Sequence, residues 1–125
     1  HYQILTKNGK QGLLIDYKKI IIPVMYDEII HSEMSNSIFI IAKDGKYGMF
    51  SEQDQFVKPK YDAIEPMHEI WYKVKQDGKT GLIDNTGEVV LRPIFDDINR
   101  FDGIEAEVII DGKKEIWDKE KIDKH

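Results

Sequence analysis

Apolar and polar residues alternate in short segments that recur four times along the chain, each segment leading into an Asn-Gly or Asp-Gly pair followed by lysine. The pairs are Asn8-Gly9, Asp44-Gly45, Asp77-Gly78 and Asp111-Gly112. Such a pair between apolar runs favours a type I′ turn, because both central residues then need positive φ. The pattern predicts one antiparallel hairpin per copy. The glycine spacings of 36, 33 and 34 residues indicate a tandem repeat.

The strand before each turn shows a period of two, which is typical of a half-buried strand. The positions four residues before the turn glycine are Leu5, Ile41, Val74 and Val108. Those six residues before it are Gln3, Phe39, Tyr72 and Ala106. We expect these two columns to face the core.

The strand after each turn carries a glycine in three copies, Gly12, Gly48 and Gly81, and Glu115 in the fourth. A glycine inside a strand indicates a bulge or a close backbone approach. We expect it to permit tight packing between repeats. The next two positions are apolar, and their column predicts that Trp117 lies in the core.

A third strand follows in three copies and reaches a proline, Pro23, Pro59 or Pro93. Proline donates no backbone hydrogen bond, so we expect the strand to end there. Each proline precedes an aromatic-acid pair and then an isoleucine. The pairs are Tyr26-Asp27, Tyr61-Asp62 and Phe95-Asp96, and the isoleucines are Ile29, Ile64 and Ile98. We interpret the aromatic residues and isoleucines as core and each Asp as a turn cap.

These strands predict an all-β fold of about 3.5 tandem three-stranded antiparallel meander repeats, with about eleven strands. The repeats would stack in a curved spiral, barrel-like or propeller-like assembly, and we favour the spiral because propeller blades usually have four strands. We predict a single domain over residues 1–118, with repeats at about 1–36, 37–69, 70–104 and a half-repeat at 105–118. Residues 119–125 would form a charged tail that frays or caps the end.

The third copy resembles the bacterial WG (KWG) repeat, loosely D-G-K-W-G, through Asp77-Gly78-Lys79-Thr80-Gly81-Leu82-Ile83-Asp84, then Gly87, Pro93 and Phe95-Asp96. The resemblance covers nearly the whole chain. It departs at the tryptophan of the family motif, where this chain has Gln11, Tyr47, Thr80 and Lys114, and again at Glu115. The resemblance implies a β-rich repeat module suited to recognition, and it implies no reaction.

Composition narrows the function classes. The 125 residues are 41% hydrophobic and 33% charged, as in a globular domain, and the net charge is −5. This balance argues against nucleic-acid binding, which needs a cationic surface, and is compatible with a basic protein partner. Cysteine is absent, so there is no thiolate metal site. No apolar run reaches the roughly 20 residues that a membrane-spanning helix needs.

The negative charge concentrates in the connections between repeats. Residues 27–37 and 62–70 each carry −3 and residues 96–107 carry −4, so the rest of the chain is positive. In a stacked repeat, equivalent connections lie on one side. We expect an acidic rim there, facing away from the turn lysines Lys10, Lys46, Lys79 and Lys113. The predicted partner-binding residues are Glu28, Glu33, Glu65, Glu69, Trp71, Asp97, Asp102, Glu105 and Glu107. The alternative is an ordinary solvated surface.

Trp71 is the one aromatic residue in this predicted set. It shares the strand phase of Lys73 and Lys75, opposite the core residues Tyr72 and Val74. An exposed tryptophan beside an acidic surface suits a binding anchor. The alternative, slightly favoured, is that Trp71 packs against a neighbouring connection.

Catalytic and metal-binding patterns are absent from the sequence. His31 with Glu33 and His68 with Glu69 lie at related places in successive connections, but no pair has the spacing of a known metal motif. No serine has a nucleophile-elbow context and no glycine loop is suited to phosphate. We therefore predict no enzyme, no metal, no cofactor, no membrane partner and no nucleic-acid partner.

The functional hypotheses that follow belong to different classes. The first is a non-enzymatic protein-binding module, most concretely a bacterial immunity protein of a toxin–antitoxin pair that neutralises a basic toxin such as a nuclease. The second is a structural or recognition fragment of a longer secreted or surface repeat array. The third is a small-ligand-binding or hydrolase domain. We expect a cytoplasmic location, with a secreted form left open because the chain begins at His1.

Overall fold

The computed structural model describes residues 2–16, 20–35, 37–53, 55–68 and 70–125. Over these residues the chain forms fourteen strands and one short helix, which confirms the all-β antiparallel repeat. The strands are β1 (Tyr2–Lys7), β2 (Lys10–Ile15), β3 (Ile20–Tyr26), β4 (Glu28–His31), β5 (Ile38–Lys43), β6 (Lys46–Ser51), β7 (Phe56–Tyr61), β8 (Ala63–His68), β9 (Trp71–Gln76), β10 (Lys79–Ile83), β11 (Val89–Phe95), β12 (Asp97–Phe101), β13 (Ala106–Ile110) and β14 (Lys113–Trp117).

Four antiparallel sheets contain these strands, in the orders β1-β2-β3, β4-β5-β6-β7, β8-β9-β10-β11 and β12-β13-β14. The predicted hairpins are all present, and Asn8, Asp44, Asp77 and Asp111 have φ of 53° or 54°. The glycine that follows each has φ between 75° and 80°. Positive φ at both central residues is the type I′ geometry that the sequence predicts.

The prediction of about eleven strands was too low, because each connection contains a further strand. β4, β8 and β12 follow directly after the aromatic-acid pairs and pair with the first strand of the next copy. These segments were interpreted as connections because the third strand was expected to end at its proline, the Asp was interpreted as a turn cap, and each segment is net negative.

The expectation that the third strand ends at its proline was wrong. β3, β7 and β11 run past Pro23, Pro59 and Pro93 to the aromatic residue of the following pair. All three are edge strands, where one row of backbone groups has no partner in the sheet. In β3 and β11 the proline also lies within a register shift, so its missing N–H interrupts no regular ladder.

The glycine of the second strand lies in a close backbone approach, but within its own repeat and not between repeats. A Cβ on Gly12 would lie 2.6 Å from the carbonyl oxygen of Ile22, and one on Gly81 would lie 2.7 Å from that of Leu91. Gly48 faces the carbonyl of Val57 more closely still. The fourth copy has Glu115 at this position, and β14 is followed by a helix instead of a third strand.

The chain divides into two compact units, residues 1–60 and 61–125. In the first unit, the core joins residues of both sheets. Its buried members are Leu13, Ile15, Ile22, Tyr26, Ile29, Phe39, Ile41 and Phe50. In this unit the predicted core columns are buried in the second copy, whereas Gln3 is exposed and Leu5 half-buried in the first.

The second unit has its own core. Its buried members are Leu82, Leu91, Phe95, Ile98, Phe101, Ala106, Val108 and Trp117. Trp117 is 4% exposed and packs edge-on against Phe95, with ring centroids 4.8 Å apart, so its predicted core position is confirmed. Tyr61, Tyr72 and Val74 are also buried.

The predicted tail contains a helix, α1 (Lys119–Lys124), that begins at a cap formed by Asp118. The Asp118 carboxylate accepts a 2.9 Å hydrogen bond from the backbone N–H of Lys121. Ile122 packs against the core of the second unit, and the rings of His125 and Trp117 lie 5.0 Å apart. The single-domain boundary at residue 118 stays a prediction.

Candidate functional site

The aspartates of the aromatic-acid pairs hold the hairpin turn of the following copy. Asp27 accepts a hydrogen bond from the backbone N–H of Asp44, Asp62 from that of Asp77, and Asp96 from that of Gly112. The predicted turn cap is therefore present, although the turn lies 15 to 17 residues ahead in the chain. Each of these aspartates links its connection to the next hairpin.

Two of the same aspartates also bind a turn lysine of the preceding hairpin. Lys10 donates to Asp27, and Lys79 donates to Asp96 at 2.8 Å. These contacts correct the expectation that the negatively charged connections face away from the turn lysines. At Asp27 and Asp96 the lysine and the acid meet, and each aspartate lies directly between the last strand of one sheet and the first strand of the next.

The ion pairs and turn amides shift the pKa of both aspartates. The Lys10 ammonium, followed by the Asp44 amide, lowers the pKa of the Asp27 carboxyl, and Lys79 with the Gly112 amide does the same for Asp96. The pKa values of Lys10 and Lys79 rise in turn, chiefly through the hydrogen bonds to these aspartates. The charged forms of both pairs are therefore favoured in the folded protein.

Four of the predicted partner-binding acids lie on β12, β13 and the loop between them. They are Asp97, Asp102, Glu105 and Glu107. Asp102 accepts hydrogen bonds from the backbone N–H groups of Ile104 and Glu105, at 2.9 and 2.8 Å. These two amides lower the pKa of Asp102. The loop that carries Asp102 and Glu105 is therefore held in one conformation by these hydrogen bonds.

Nearby cations offset part of this negative charge, and a neutral side-chain amide binds one of the carboxylates. Lys73 lies 3.1 Å from Asp97, and Arg100 contacts Asp102 and Glu105 at 3.5 and 3.6 Å. The side-chain amide of Asn99 donates to Glu107 at 3.0 Å. Burial raises the pKa of Asp97, but the Ile98 amide and Lys73 outweigh it, so the pKa is lowered overall. The count of −4 for residues 96–107 already includes Arg100, so it is Lys73 that makes this surface less acidic than the count indicates.

The other predicted acids are distributed between the two units. Glu65 is exposed on β8, directly opposite Lys73 on β9. Glu28 begins β4 and Glu33 follows it, both exposed and both in the first unit. Glu69 lies outside the described residues. A rim that joins all of these acids stays a prediction.

Trp71 is half-buried and packs against a neighbouring connection, as the slightly favoured interpretation predicts. Its ring meets that of Phe101 on β12 edge-on, with centroids 4.8 Å apart and planes at 73°. The indole N–H is buried and has no hydrogen-bond partner among the described residues. A buried hydrogen-bond donor without an acceptor is uncommon in proteins, so this N–H is a position at which a hydrogen-bond acceptor would be stabilising.

A groove of about 360 Å³ lies beside Trp71 in the second unit. We call it the Trp71 groove; its lining includes Trp71, Val89, Val90, Phe101, Gly103, Ile104 and Ile122, with Asp84, Glu88, Lys119 and Asp123. The sequence columns did not identify it. One signal was available, because Gly103 lies outside every turn and strand column, and it has φ of 95° in a loop that exposes Ile104.

A protein-family model, "WG containing repeat", matches the chain over residues 18–47, 53–79 and 81–113. The chain belongs to the WG-repeat family. Comparison with curated proteins and with solved structures gave no match. The match confirms the resemblance to the WG repeat that the sequence columns indicate. The WG repeat is a non-catalytic repeat module.

At two of the WG positions that lack the tryptophan, a polar side chain instead contacts the backbone of the next connection. The amide oxygen of Gln11 accepts a 2.7 Å hydrogen bond from the N–H of Ile29. Thr80, fully buried, donates through its hydroxyl to the carbonyl oxygen of Asp96 at 3.4 Å. In these two copies the position therefore joins the second strand to the following connection by a hydrogen bond.

Within the described part of the WG-repeat chain, no three His, Asp or Glu side chains are grouped so that they could hold a metal ion. The described helix is too short and too polar to cross a membrane.

Proposed function

We propose that this WG-repeat protein is a non-enzymatic protein-binding module that uses its acidic surface to bind a basic partner. In its most specific form the proposal is an immunity protein that neutralises a basic toxin, such as a nuclease. The observation that supports it most is the ordered acidic stretch of β12, β13 and their loop, because two backbone amides hold the Asp102 carboxylate and the Asn99 side chain holds that of Glu107. An ordered charged surface loses little conformational entropy on binding.

Complementary charge raises the association rate and selects the partner more than it raises affinity. Exposed ion pairs such as those of Arg100 contribute only about 0–1 kcal/mol each to stability, so a partner's cation can compete for these acids. A surface of this kind suits a partner with a strongly basic face. A nuclease that binds phosphate is one example of such a partner.

The first test is to express the protein together with the products of neighbouring genes and to purify at moderate salt. A one-to-one complex with a strongly basic protein, identified by mass spectrometry, is the expected result. If the basic protein is a nuclease, its activity should fall to background in the complex. Recovery of a stoichiometric acidic partner instead would contradict the proposal.

The charge mechanism is tested by neutralising two acids of this stretch whose carboxylates accept no backbone hydrogen bond, in the variant Glu105→Gln/Glu107→Gln. We expect the association rate with the basic partner to fall several-fold at low salt, and its salt dependence to become weaker. The matched control, Asp16→Asn/Glu120→Gln, removes the same net charge elsewhere. Stopped-flow kinetics at several salt concentrations compares the two. Equal rates in both variants would exclude this acidic surface as the binding site.

A further inference from the structure

We propose that the Trp71 groove binds an extended peptide segment of a partner protein, in which an apolar side chain lies next to a lysine or arginine. This inference rests on the proposed function and names the partner chemistry that a second part of the same unit would recognise. It rests on the apolar walls of the groove, on two carboxylates at its rim that have no partner among the described residues, and on the Trp71 indole N–H, which has no acceptor there.

The walls of the groove provide an apolar contact that is already in place. Trp71, Val90 and Ile122 pack on the core of the second unit and are only partly buried. Ile104 and Val89 at the rim are 69% and 44% exposed. Large apolar side chains at the edge of a groove are typical of binding sites. An apolar side chain bound between them would remove this surface from water.

The loop that carries Ile104 is held in its conformation before any partner binds. The Asp102 carboxylate accepts from the N–H groups of Ile104 and Glu105, and the Asp102 N–H donates to the Glu105 carbonyl at 3.3 Å. Gly103 supplies the positive φ that the turn needs. Because the loop is fixed, Ile104 is presented without a large entropic cost on binding.

The rim of the groove is negative. Asp84 is occupied by its own turn, where it accepts from the N–H groups of Thr86 and Glu88. The carboxylates of Glu88 and Asp123 have no hydrogen bond or ion pair among the described residues, whereas Lys119 is the only cation in the lining so far as it is described. Two unpaired carboxylates beside an apolar groove favour a segment that carries a positive side chain next to an apolar one.

The indole N–H of Trp71 adds a polar determinant in the wall. It is buried without an acceptor among the described residues, which costs free energy in the unbound protein. Because this N–H is closed to solvent, a backbone carbonyl of a bound segment would reach it, and recover this cost, only if the ring shifts on binding. An extended peptide presents such carbonyls at every residue.

The test uses the full chain and two synthetic peptides, acetyl-Gly-Lys-Leu-Arg-Gly-amide and acetyl-Gly-Glu-Leu-Glu-Gly-amide. Binding is followed through the two indole N–H signals in ¹H–¹⁵N NMR spectra, with Trp71→Phe to assign them. We expect the basic peptide to shift the Trp71 signal and to bind at least about tenfold more tightly than the acidic peptide, as charge complementarity requires.

Three variants locate the binding. Glu88→Lys/Asp123→Lys should reverse the preference between the peptides, and Ile104→Ser should weaken the basic peptide about tenfold through the lost apolar contact. The matched control Asp16→Lys/Glu120→Lys, with the same net charge, should behave as the unmodified protein. Ile104 is exposed, so its change does not disturb the core.

The proposal is overturned if the two peptides bind alike, if neither moves the Trp71 signal, or if the control loses the preference as the groove variant does. It is also overturned if sedimentation shows a dimer that Ile104→Ser abolishes, because a second copy would then fill the groove. Loss of groove binding together with intact charge-dependent partner binding would leave the proposed function standing. If the basic peptide binds the groove but no basic protein partner is found, the groove proposal stands and the proposed function fails.

Discussion

Glycine occupies two kinds of position in each repeat, and the two constrain the chain differently. The turn glycines have positive φ and open space around them, so only the backbone angle restricts them. The strand glycines have ordinary angles, but a Cβ there would enter the backbone of the neighbouring strand. The role of a turn glycine can be identified from the Asn-Gly or Asp-Gly pair in the sequence. The role of a strand glycine can be identified only from the distance between two strands in the structure.

This difference predicts the result of two alanine substitutions in the third copy. Gly78→Ala should cost about 1 kcal/mol, through the strain of a left-handed residue with a Cβ. Gly81→Ala should cost about 3 kcal/mol or more, because the Leu91 carbonyl and the Pro93 backbone would have to move. Urea unfolding of both variants gives the comparison. Equal losses of stability would contradict the close approach.

At the scale of elements, the aspartate of each aromatic-acid pair joins one connection to the next hairpin. Asp27 and Asp96 combine a lysine from the hairpin before with a turn amide from the hairpin after. One carboxylate therefore connects three successive segments: the hairpin before it, its own connection and the hairpin after it. These contacts need the carboxylate in its ionised form, which makes them sensitive to acid.

The lowered pKa values of Asp27 and Asp96 predict how stability responds to pH. Because the folded-state pKa lies below the unfolded value of about 3.9, the carboxylates stabilise the fold fully above that pH. Their contribution is lost as the pH falls through the folded-state pKa. The difference in Tm between the unmodified protein and Asp27→Asn/Asp96→Asn should therefore be largest near pH 6 and should shrink towards pH 3.

Thermal unfolding monitored by circular dichroism at several pH values measures this difference. The variant Lys10→Met/Lys79→Met keeps the aspartates and their turn amides but removes the lysines. It should show a smaller pH-dependent difference from the unmodified protein. A Tm difference that stays constant with pH for the aspartate variant would show that these carboxylates do not stabilise the fold through their charge.

At the scale of the whole molecule, net charge and its distribution limit the possible partners. The chain carries a net charge of −5. In the second unit the described acidic residues outnumber the basic ones, although Lys73 and Arg100 pair with some of them. Binding to a nucleic-acid backbone needs several cations in one place. A protein or peptide with a positive surface is the partner that this charge favours.

The overall charge predicts that duplex DNA does not bind. Fluorescence anisotropy of a labelled 20-base-pair duplex at about 50 mM salt should stay unchanged up to high micromolar protein, since phosphate contacts dominate such binding and weaken only at higher salt. The matched measurement uses the basic peptide of the groove experiment as the labelled species. Saturable DNA binding would show that the described charges do not represent the surface that acts in solution.

The sequence predicted much of the fold because hairpin turns and strand periodicity are local. One Asn-Gly and three Asp-Gly pairs predicted the four hairpins, and the strand columns identified Phe39, Tyr72, Trp117 and much of the core. The additional strands β4, β8 and β12 were missed because the aromatic-acid pair before each was interpreted as the start of a connection, and only the sheets show that these segments pair with the next copy. The course of the third strand beyond its proline was missed because only the sheet shows that proline lies at an edge.

By itself, the sequence determined the repeat, its turns, its core columns and its acidic balance, since each of these depends on residues close together in the chain. The tertiary structure decided which charges meet, because Lys10 and Asp27 are 17 residues apart in the chain and Lys73 and Asp97 are 24 apart, so each pair forms only in the folded protein. It also decided the Trp71 groove. Trp71, Val89, Ile104 and Asp123 are far apart in sequence, and packing of β9, β11, the Asp102 loop and α1 in one unit brings them together.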